Sequence, residues 1–211
     1  MIGDDFLEGC PAMWKRREVL GLVAGSLVAP VIRSGARADG GDMILGDPAA
    51  PIEIIEYASM TCGACAAFHA NTLPDLKANW LETGRARLVF REYPLDGLAL
   101  RVAALARCAG GDSFFRFIDV LFRTRERWVG ADDPASELKA IVSSGGRDPA
   151  IVDQCFDDRV VMQQILEGLE TARENHGVRV TPTLVVNGEV VSGDPGYAAL
   201  DAMLQGIEAA L

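Results

Sequence analysis

The chain has 211 residues, 49% of them hydrophobic and 24% charged, which excludes a disordered chain and allows one domain with a substantial core. Its formal net charge of -10 and its pI near 4.7 argue against nucleic acid or an anionic membrane as a partner, because both attract cationic surfaces. A protein or a small molecule is favoured instead.

The N-terminal residues have the pattern of an export signal. Lys15, Arg16 and Arg17 precede an uncharged apolar stretch at residues 19–32, and the small-x-small sequence of residues 36–38 follows as a cleavage site. The apolar stretch is too short to cross a hydrocarbon layer of ~30 Å as a helix. K-R-R-E-V-L resembles a twin-arginine signal, and the alternatives are an ordinary secretory signal or a cytosolic protein with a chance apolar helix. We expect residues 1–38 to be a signal peptide and residues 39–211 to be a periplasmic or otherwise exported protein.

Export would place the cysteines of the mature chain in an oxidising compartment. Cys10 is lost with the signal, which leaves Cys62, Cys65, Cys108 and Cys155 in the mature chain. In an oxidising compartment an even set of cysteines usually pairs.

A strand, a helix and a second strand are predicted next. I-E-I-I-E-Y-A at residues 52–58 is typical of a buried strand. Cys62 and Cys65 follow, and apolar residues then recur at helical spacing up to Gly84, so the cysteines lie at the N-terminus of a helix. A-R-L-V-F-R-E-Y at residues 86–93 predicts the second strand, and this order of elements implies parallel pairing.

A helical insertion, a hairpin and a closing helix complete the chain. Residues 97–176 contain no convincing strand, and their amphipathic stretches predict an inserted helical subdomain. In T-P-T-L-V-V-N-G-E-V-V-S-G, Asn187-Gly188 suits the positive φ angles of a two-residue hairpin turn. Residues 197–211 predict the last helix. The amphipathic stretches span residues 98–108, 114–128, 135–142, 149–156 and 158–175.

The position of Cys62 and Cys65 favours a reversible disulfide. The first turn of a helix directs free backbone N–H groups and the positive end of the helix dipole at the Cys62 sulfur, which stabilises the reactive thiolate. Cys65, one turn further along, can reach the same sulfur but is more enclosed. We therefore expect Cys62 to be the nucleophile and Cys65 to resolve a mixed disulfide by attacking it.

Zinc is the main alternative for this segment, and two unreactive buried thiols are another. Cys62, Cys65 and His69 share a helix face and offer three ligands, but a structural zinc site usually has four. The other histidine and the other cysteines lie far away in the sequence. We therefore expect no metal, and we expect His69 to lie on the helix surface or to be only partly packed.

Thr181-Pro182 is the second informative feature. An X-Pro bond can be cis at modest cost, and a cis proline beside the cysteines would leave the backbone of Thr181 free to hold an extended peptide. Alone, the dipeptide before a strand is more often a simple loop boundary. Together with C-x-x-C after the first predicted strand, it becomes specific.

These features resemble the DsbA family of exported thioredoxin-fold proteins, especially the branch that includes BdbD. The resemblance is carried by I-I-E-Y-A-S-M-T-C-G-A-C-A-A-F-H, Leu73-Pro74, R-L-V-F-R-E-Y-P-L, A-A-L-A-R-C and V-T-P-T-L-V-V-N-G, and it covers nearly all of residues 45–210. It implies an α/β thioredoxin fold with an inserted α-helical subdomain at about residues 97–176. It also implies that Cys62 is the nucleophile, Cys65 the resolving thiol and Pro182 a cis proline facing them.

The resemblance further implies a role for Glu56, which falls where the family has a buried acid beneath the active site. Such a carboxyl can exchange protons with Cys65, and the alternative is an exposed carboxylate on the strand. Between the cysteines the chain departs from the best-known oxidase pattern, because Gly63-Ala64 replaces a Pro-His pair whose histidine stabilises the thiolate.

Cys108 and Cys155 lie in the predicted insertion. In an exported protein we expect them to form a structural disulfide, which would stabilise the fold by about 4 kcal/mol in the chain-entropy model. The alternative is two buried free thiols that pack as small apolar groups.

The expected function is a thiol:disulfide oxidoreductase, an oxidase that donates the Cys62–Cys65 disulfide to reduced or unfolded exported proteins without a cofactor. The resemblance implies reoxidation by a DsbB-like, quinone-linked membrane partner. Residues 39–50 are too short for the oligomerisation module typical of isomerases, so we expect a monomer. The alternatives are a disulfide isomerase or reductase, a peptide-binding chaperone without redox turnover, and a zinc-binding module.

Overall fold

The computed structural model describes residues 41–110 and 113–211, so the predicted signal peptide at residues 1–38 lies outside the described residues. Among the described residues, no helix is both long and apolar enough to span a bilayer. The strands are β1 (Met43–Gly46), β2 (Ile52–Ala58), β3 (Ala86–Glu92), β4 (Thr183–Val186) and β5 (Glu189–Ser192).

The strands of the described part of the chain form one five-stranded sheet in the order β1-β3-β2-β4-β5. The central pair, β2 and β3, is parallel, as the sequence predicts, and the other neighbours are antiparallel. β2 is central, and six of its seven residues are buried, which suits a strand covered on both sides. Asn187 and Gly188 have φ angles of 45° and 92°, which the hairpin turn between β4 and β5 requires.

The helices lie on both faces of this sheet or in the insertion between β3 and β4. They are α1 (Gly63–Asn71), α2 (Leu73–Leu76), α3 (Gly97–Gly110), α4 (Phe114–Arg123), α5 (Arg125–Val129), α6 (Pro134–Ser144), α7 (Ala150–Cys155), α8 (Arg159–His176) and α9 (Tyr197–Glu208), and Lys77–Leu81 is a π-helical turn after α2.

Alternate residues of β2 belong to two different hydrophobic clusters. Ile52 and Ile54 pack with Phe68 of α1 and with α9, whereas Ile55 and Tyr57 pack with α8 on the opposite face. Glu56 lies two residues after Ile54, and residues two apart on a strand point to the same face. The Glu56 side chain therefore lies on the α1 face.

The insertion has its own apolar core, which continues into the active-site region. Trp128 of α5 is fully buried in this core and donates its indole N–H to the Leu121 carbonyl at 3.0 Å. Cys65 of α1 and Phe90 of β3 belong to the same cluster. The insertion therefore packs directly against the start of α1.

Three local features differ from the sequence-based predictions. The short strand β1, which pairs antiparallel with β3, was not predicted, because four residues are too few to show an alternating pattern. The single helix predicted up to Gly84 is interrupted before Pro74, which has no N–H to continue a hydrogen-bonded helix. The helix predicted at residues 114–128 is broken at Thr124, whose ψ angle of 8° is not helical.

Candidate active site

The candidate active site lies where the parallel strands β2 and β3 end. Cys62 follows β2 by four residues and is the N-cap of α1, with extended backbone angles. Its amide donates to the Ser59 carbonyl at 3.1 Å, and the preceding Thr61 hydroxyl donates to Asp96 at 2.6 Å. Because Asp96 follows β3, the two strand ends together hold the loop that carries Cys62.

The Cys62 sulfur is surrounded by groups that favour its ionised form. The backbone N–H of Cys65 donates to it at 3.4 Å, and the Cys62 thiol, when protonated, can donate to the Thr181 carbonyl at 3.3 Å. The pKa of Cys62 is lowered from 9.0 to about 5, mainly by a hydrogen bond from the Cys65 thiol, against the opposing effect of burial. The Thr181 hydroxyl and the amides of Cys65 and Ala64 lower this pKa further. Cys62 is therefore a thiolate at neutral pH.

Cys65 has the opposite character. Its side chain is fully buried, and both cysteines are free thiols in this structure. Its hydrogen bond to the Cys62 sulfur, its burial and the nearby charge of Glu56 raise the pKa of Cys65 well above its usual range. Within the pair, the proton thus resides on Cys65 and the negative charge on Cys62.

Thr181 and Pro182 lie beside this pair. The peptide bond between them is cis, and the register of β4 against β2 places Thr183 opposite Tyr57, near the end of β2 that leads to Cys62. The Thr181 hydroxyl is buried and bonds to no other group among the described residues, so it is free to donate to the Cys62 thiolate, and it lowers the pKa of Cys62.

Glu56 and His69 form a buried pair next to Cys65. The Glu56 side chain is inaccessible to solvent, and His69 Nε2 lies 3.1 Å from Oε1 and 3.2 Å from Oε2 of Glu56. The expectation that His69 lies on the helix surface or is only partly packed is wrong, since only 5% of the residue is exposed. Its spacing was a usable signal, because residues four apart on a helix share a face and His69 follows Cys65 by four.

Arg125 is a second site residue that the sequence analysis missed. Its Nε donates to the Thr61 carbonyl at 2.7 Å, and its Cζ lies 3.9 Å from where a side chain on Gly63 would begin. Arg125 thus brings a guanidinium from α5 of the insertion to the loop that carries Cys62. No sequence signal could have revealed this contact, because it joins residues 64 positions apart.

The remaining predicted site residues lie apart from this cluster. Cys108 of α3 and Cys155 of α7 form a disulfide with a Cα–Cα distance of 5.6 Å. Cys155 is buried and Cys108 is exposed, so the alternative of two buried thiols does not describe Cys108. Within the described ranges, no group of three or more His, Cys, Asp or Glu residues is arranged to hold a metal ion.

Comparisons with known proteins agree with this geometry. The family model described as Thioredoxin matches residues 38–206. The crystal structure of Wolbachia pipientis alpha-DsbA1 superposes with a TM-score of 0.74 and 27% sequence identity, covering 80% of this chain and 92% of that one. This likeness confirms the predicted α/β class and the thioredoxin fold with inserted helices.

Two relatives have names that refer to disulfide chemistry. A Rickettsia felis protein provisionally named protein-disulfide oxidoreductase is 27% identical over 176 residues, 83% of this chain and 62% of that protein. The Bacillus subtilis disulfide bond formation protein D is 25% identical over 172 residues, 78% of this chain and 76% of that protein. The chain therefore spans less than two thirds of the length of the Rickettsia relative.

Proposed function

This chain belongs to the thioredoxin family, with DsbA proteins among its structural relatives, and from that membership we propose that it is a thiol:disulfide oxidoreductase acting as an oxidase. One observation carries the proposal, namely that the Cys62 sulfur at the N-cap of α1 accepts a hydrogen bond from Cys65, which is fully buried one turn further along. This arrangement shifts the pKa values of Cys62 and Cys65 in opposite directions. A low pKa at an accessible sulfur makes it a good leaving group and stabilises the reduced pair, so the corresponding disulfide is a good oxidant.

The reaction follows from these roles. A substrate thiolate attacks the Cys62 sulfur of the Cys62–Cys65 disulfide, a mixed disulfide forms, and Cys65 leaves with the electron pair. A second substrate thiolate then attacks the substrate sulfur of the mixed disulfide, and Cys62 leaves as a thiolate. Two electrons pass from the substrate's thiols to the cysteine pair, and the substrate gains a disulfide.

Exposed apolar side chains beside the site suit a substrate that is an unfolded polypeptide. Leu95 is 53% exposed, and its amide donates to Ser59 in the loop before Cys62. Val180 is 49% exposed and precedes Thr181, whose carbonyl contacts the Cys62 sulfur. Apolar segments of unfolded chains can pack on these side chains while their cysteines react.

The cellular setting of the proposal follows from the predicted signal peptide and from the relatives. The substrates are reduced exported proteins, the enzyme acts as an exported monomer, and a DsbB-like membrane partner reoxidises it. The isomerase or reductase alternative reverses the direction of transfer and requires a more reducing pair.

Equilibration with glutathione buffers tests the direction. We expect the Cys62–Cys65 pair to remain largely reduced in glutathione mixtures that oxidise thioredoxin-like reductants, as detected by mass spectrometry after thiol trapping. If glutathione disulfide oxidises the Cys62–Cys65 pair as readily as it oxidises a thioredoxin-like reductant, the protein does not act as an oxidase. Cys62→Ser distinguishes the chaperone alternative, because a chaperone without redox turnover would retain its activity in this variant.

A further inference from the structure

The oxidase reaction requires proton transfer at Cys65. Its sulfur gains a proton when it is released from the disulfide and loses one when the disulfide is formed again. Cys65 is fully buried, so it cannot exchange a proton with solvent directly. The nearby Glu56 is also fully buried and faces the same difficulty. The proton therefore needs a further carrier between Glu56 and the protein surface.

His69 is the side chain in the right place for this carrier. Its Nε2 is within hydrogen-bond distance of both Glu56 oxygens, and among the described residues it is the only side chain bonded to that carboxyl. The rest of the ring is enclosed by aromatic side chains, with the Phe122 ring 4.4 Å and the Phe90 ring 6.0 Å away between centroids. Apolar rings on these sides leave few other routes for a proton.

His69 also borders the protein surface, although only 5% of the residue is exposed. His69 lines two grooves. One lies between α1 and the α4–α5 segment and begins beside the active site at Gly63, and the other is bordered by β1, α2 and α4. The groove at Gly63 has a volume of about 340 Å³, enough for several water molecules. His69 therefore separates the buried Glu56 carboxyl from a groove that is open to water.

We propose that His69 relays the proton between Glu56 and this groove, so that Cys65, Glu56 and His69 form a continuous path from the buried thiol to solvent. This inference rests on the proposed thiol–disulfide exchange and assigns His69 a positioning and relay role in it. When a substrate thiolate displaces Cys65, one proton moves from the groove through His69 and Glu56 to the Cys65 sulfur. When the pair is reoxidised, the same proton leaves in the opposite direction, so charge and protons balance in both half-reactions.

Charged groups lie around His69, at Glu56 and along the two grooves. Glu56 on β2 bonds to the His69 ring, and the groove presents both signs of charge near its mouth. The groups that line the two grooves are Lys77, Arg116, Asp119, Arg123, Arg125 and Glu126.

A single rapid-mixing experiment separates the two steps. When the reduced protein is mixed with glutathione disulfide, the Cys62 thiolate first forms a mixed disulfide with one glutathione. Cys65 then attacks Cys62, the second glutathione leaves, and one proton is released from Cys65. Acid quenching and mass spectrometry follow both phases across a range of pH.

We expect His69→Gln to leave the first phase unchanged and to slow the second about 100-fold at neutral pH, because an amide can hold Glu56 but cannot carry a proton. His69→Ala opens space toward the groove, so we expect imidazole in the buffer to restore much of its second-phase rate. Arg123→Ala is the matched control, since Arg123 lines both grooves without contacting Glu56, and it should change neither phase nor respond to imidazole.

The outcomes separate the two proposals. The relay is refuted if His69→Gln has the same second-phase rate as the unaltered protein. It is also refuted if the second phase of His69→Ala is slow and imidazole does not accelerate it. Absence of the first phase in the unchanged protein refutes the oxidoreductase itself, whatever His69 does.

Discussion

The asymmetry between Cys62 and Cys65 has a local cause. Cys62 sits at the N-cap, where the Cys65 amide and thiol both donate to its sulfur, whereas Cys65 lies one turn deeper and is fully buried, with the charge of Glu56 nearby. The same hydrogen bond between the two thiols stabilises the anion at one sulfur and the proton at the other. Ala64 contributes its backbone amide to this effect and neither Gly63 nor Ala64 has a polar side chain, so a histidine between the cysteines is not required for a low Cys62 pKa.

The Thr181 hydroxyl allows a test at the scale of one residue. Thr181→Val keeps the shape of the side chain but removes a hydroxyl that lowers the pKa of Cys62. Since a hydrogen bond to a charged group is worth on the order of 1.5 kcal/mol, we expect the Cys62 pKa to rise by up to about one unit from its value of about 5. The pH dependence of Cys62 alkylation measures this midpoint.

Thr183→Val is the matched control for this substitution. Thr183 is also buried and lies one residue beyond Pro182, but its hydroxyl donates to the Val180 carbonyl at 2.8 Å. Thr183→Val should leave the pH midpoint of Cys62 alkylation unchanged. Equal shifts in both variants would mean that the Thr181 hydroxyl has no specific effect on the sulfur.

At the scale of elements, the insertion contributes to the active site through α5. The break at Thr124 redirects the chain, so that Arg125 points at the loop carrying Cys62 while Trp128 stays in the core of the insertion. The Arg125 guanidinium donates a hydrogen bond to the Thr61 carbonyl and places a positive charge beside Gly63. The insertion therefore adds charge to the site as well as covering the sheet.

Removing this charge should weaken the thiolate. We expect Arg125→Met to raise the midpoint of Cys62 alkylation, because it removes the cation bonded to the Thr61 carbonyl next to Cys62, and a nearby cation favours a thiolate. Arg125→Lys should recover most of the shift, whereas Arg123→Met, which removes a cation paired with Asp119 in the same groove, should have little effect. A midpoint unaltered by Arg125→Met would show that Arg125 only anchors the loop.

The Cys108–Cys155 disulfide ties α3 to α7 within the insertion. It closes a loop with a sequence separation of 47 residues, for which the chain-entropy model gives a stabilisation of about 4 kcal/mol. We expect the double variant Cys108→Ala, Cys155→Ala to lose up to about this much free energy of unfolding in urea titrations, with Cys62 alkylation unchanged. Unfolding free energies equal to those of the unaltered chain would contradict a structural role.

The sequence predicts those elements whose signals are local. The apolar run of β2, the Asn187-Gly188 turn and the cysteines at a helix start all depend on neighbouring residues, and the structure has each of them. The buried state of His69 and the contact of Arg125 with Thr61 depend instead on packing between distant segments, which one sequence does not reveal. The sequence does not predict strand β1, because this strand depends on its pairing with β3 and its own four residues carry no strand pattern.

At the scale of the whole molecule, the active-site pair links folding stability to pH and to redox state. Several surface carboxylates, such as Asp157 beside Arg101 and Glu208 beside Arg85, also have lowered pKa values. They act equally in the oxidised and reduced forms, so their contributions cancel when the two forms are compared. Only Cys62 and Cys65 titrate in one form and not in the other.

The difference in unfolding free energy between the two forms should therefore follow the thiol pKa values. The pKa of Cys62 is lowered on folding, so the stability it adds to the reduced form is fully present above 9.0 and is lost as pH falls through about 5. Between these limits the reduced form should gain at most about 1.4 kcal/mol per pH unit over the oxidised form, and less where solvent screens the sulfur. Cys65, whose pKa is raised, opposes this gain only above its unfolded value of 9.0.

Urea unfolding of the oxidised and reduced forms at several pH values between about 5 and 9 tests this linkage. We expect the stability of the reduced form relative to the oxidised form to rise with pH across this range. In reduced Cys62→Ser, the stability of the variant relative to the reduced unaltered chain should fall over the same range, because serine does not titrate there. If the difference between the oxidised and reduced forms is flat with pH, the Cys62 sulfur is not ionised by its surroundings, and the molecule lacks the thermodynamic drive that an oxidase of this kind needs.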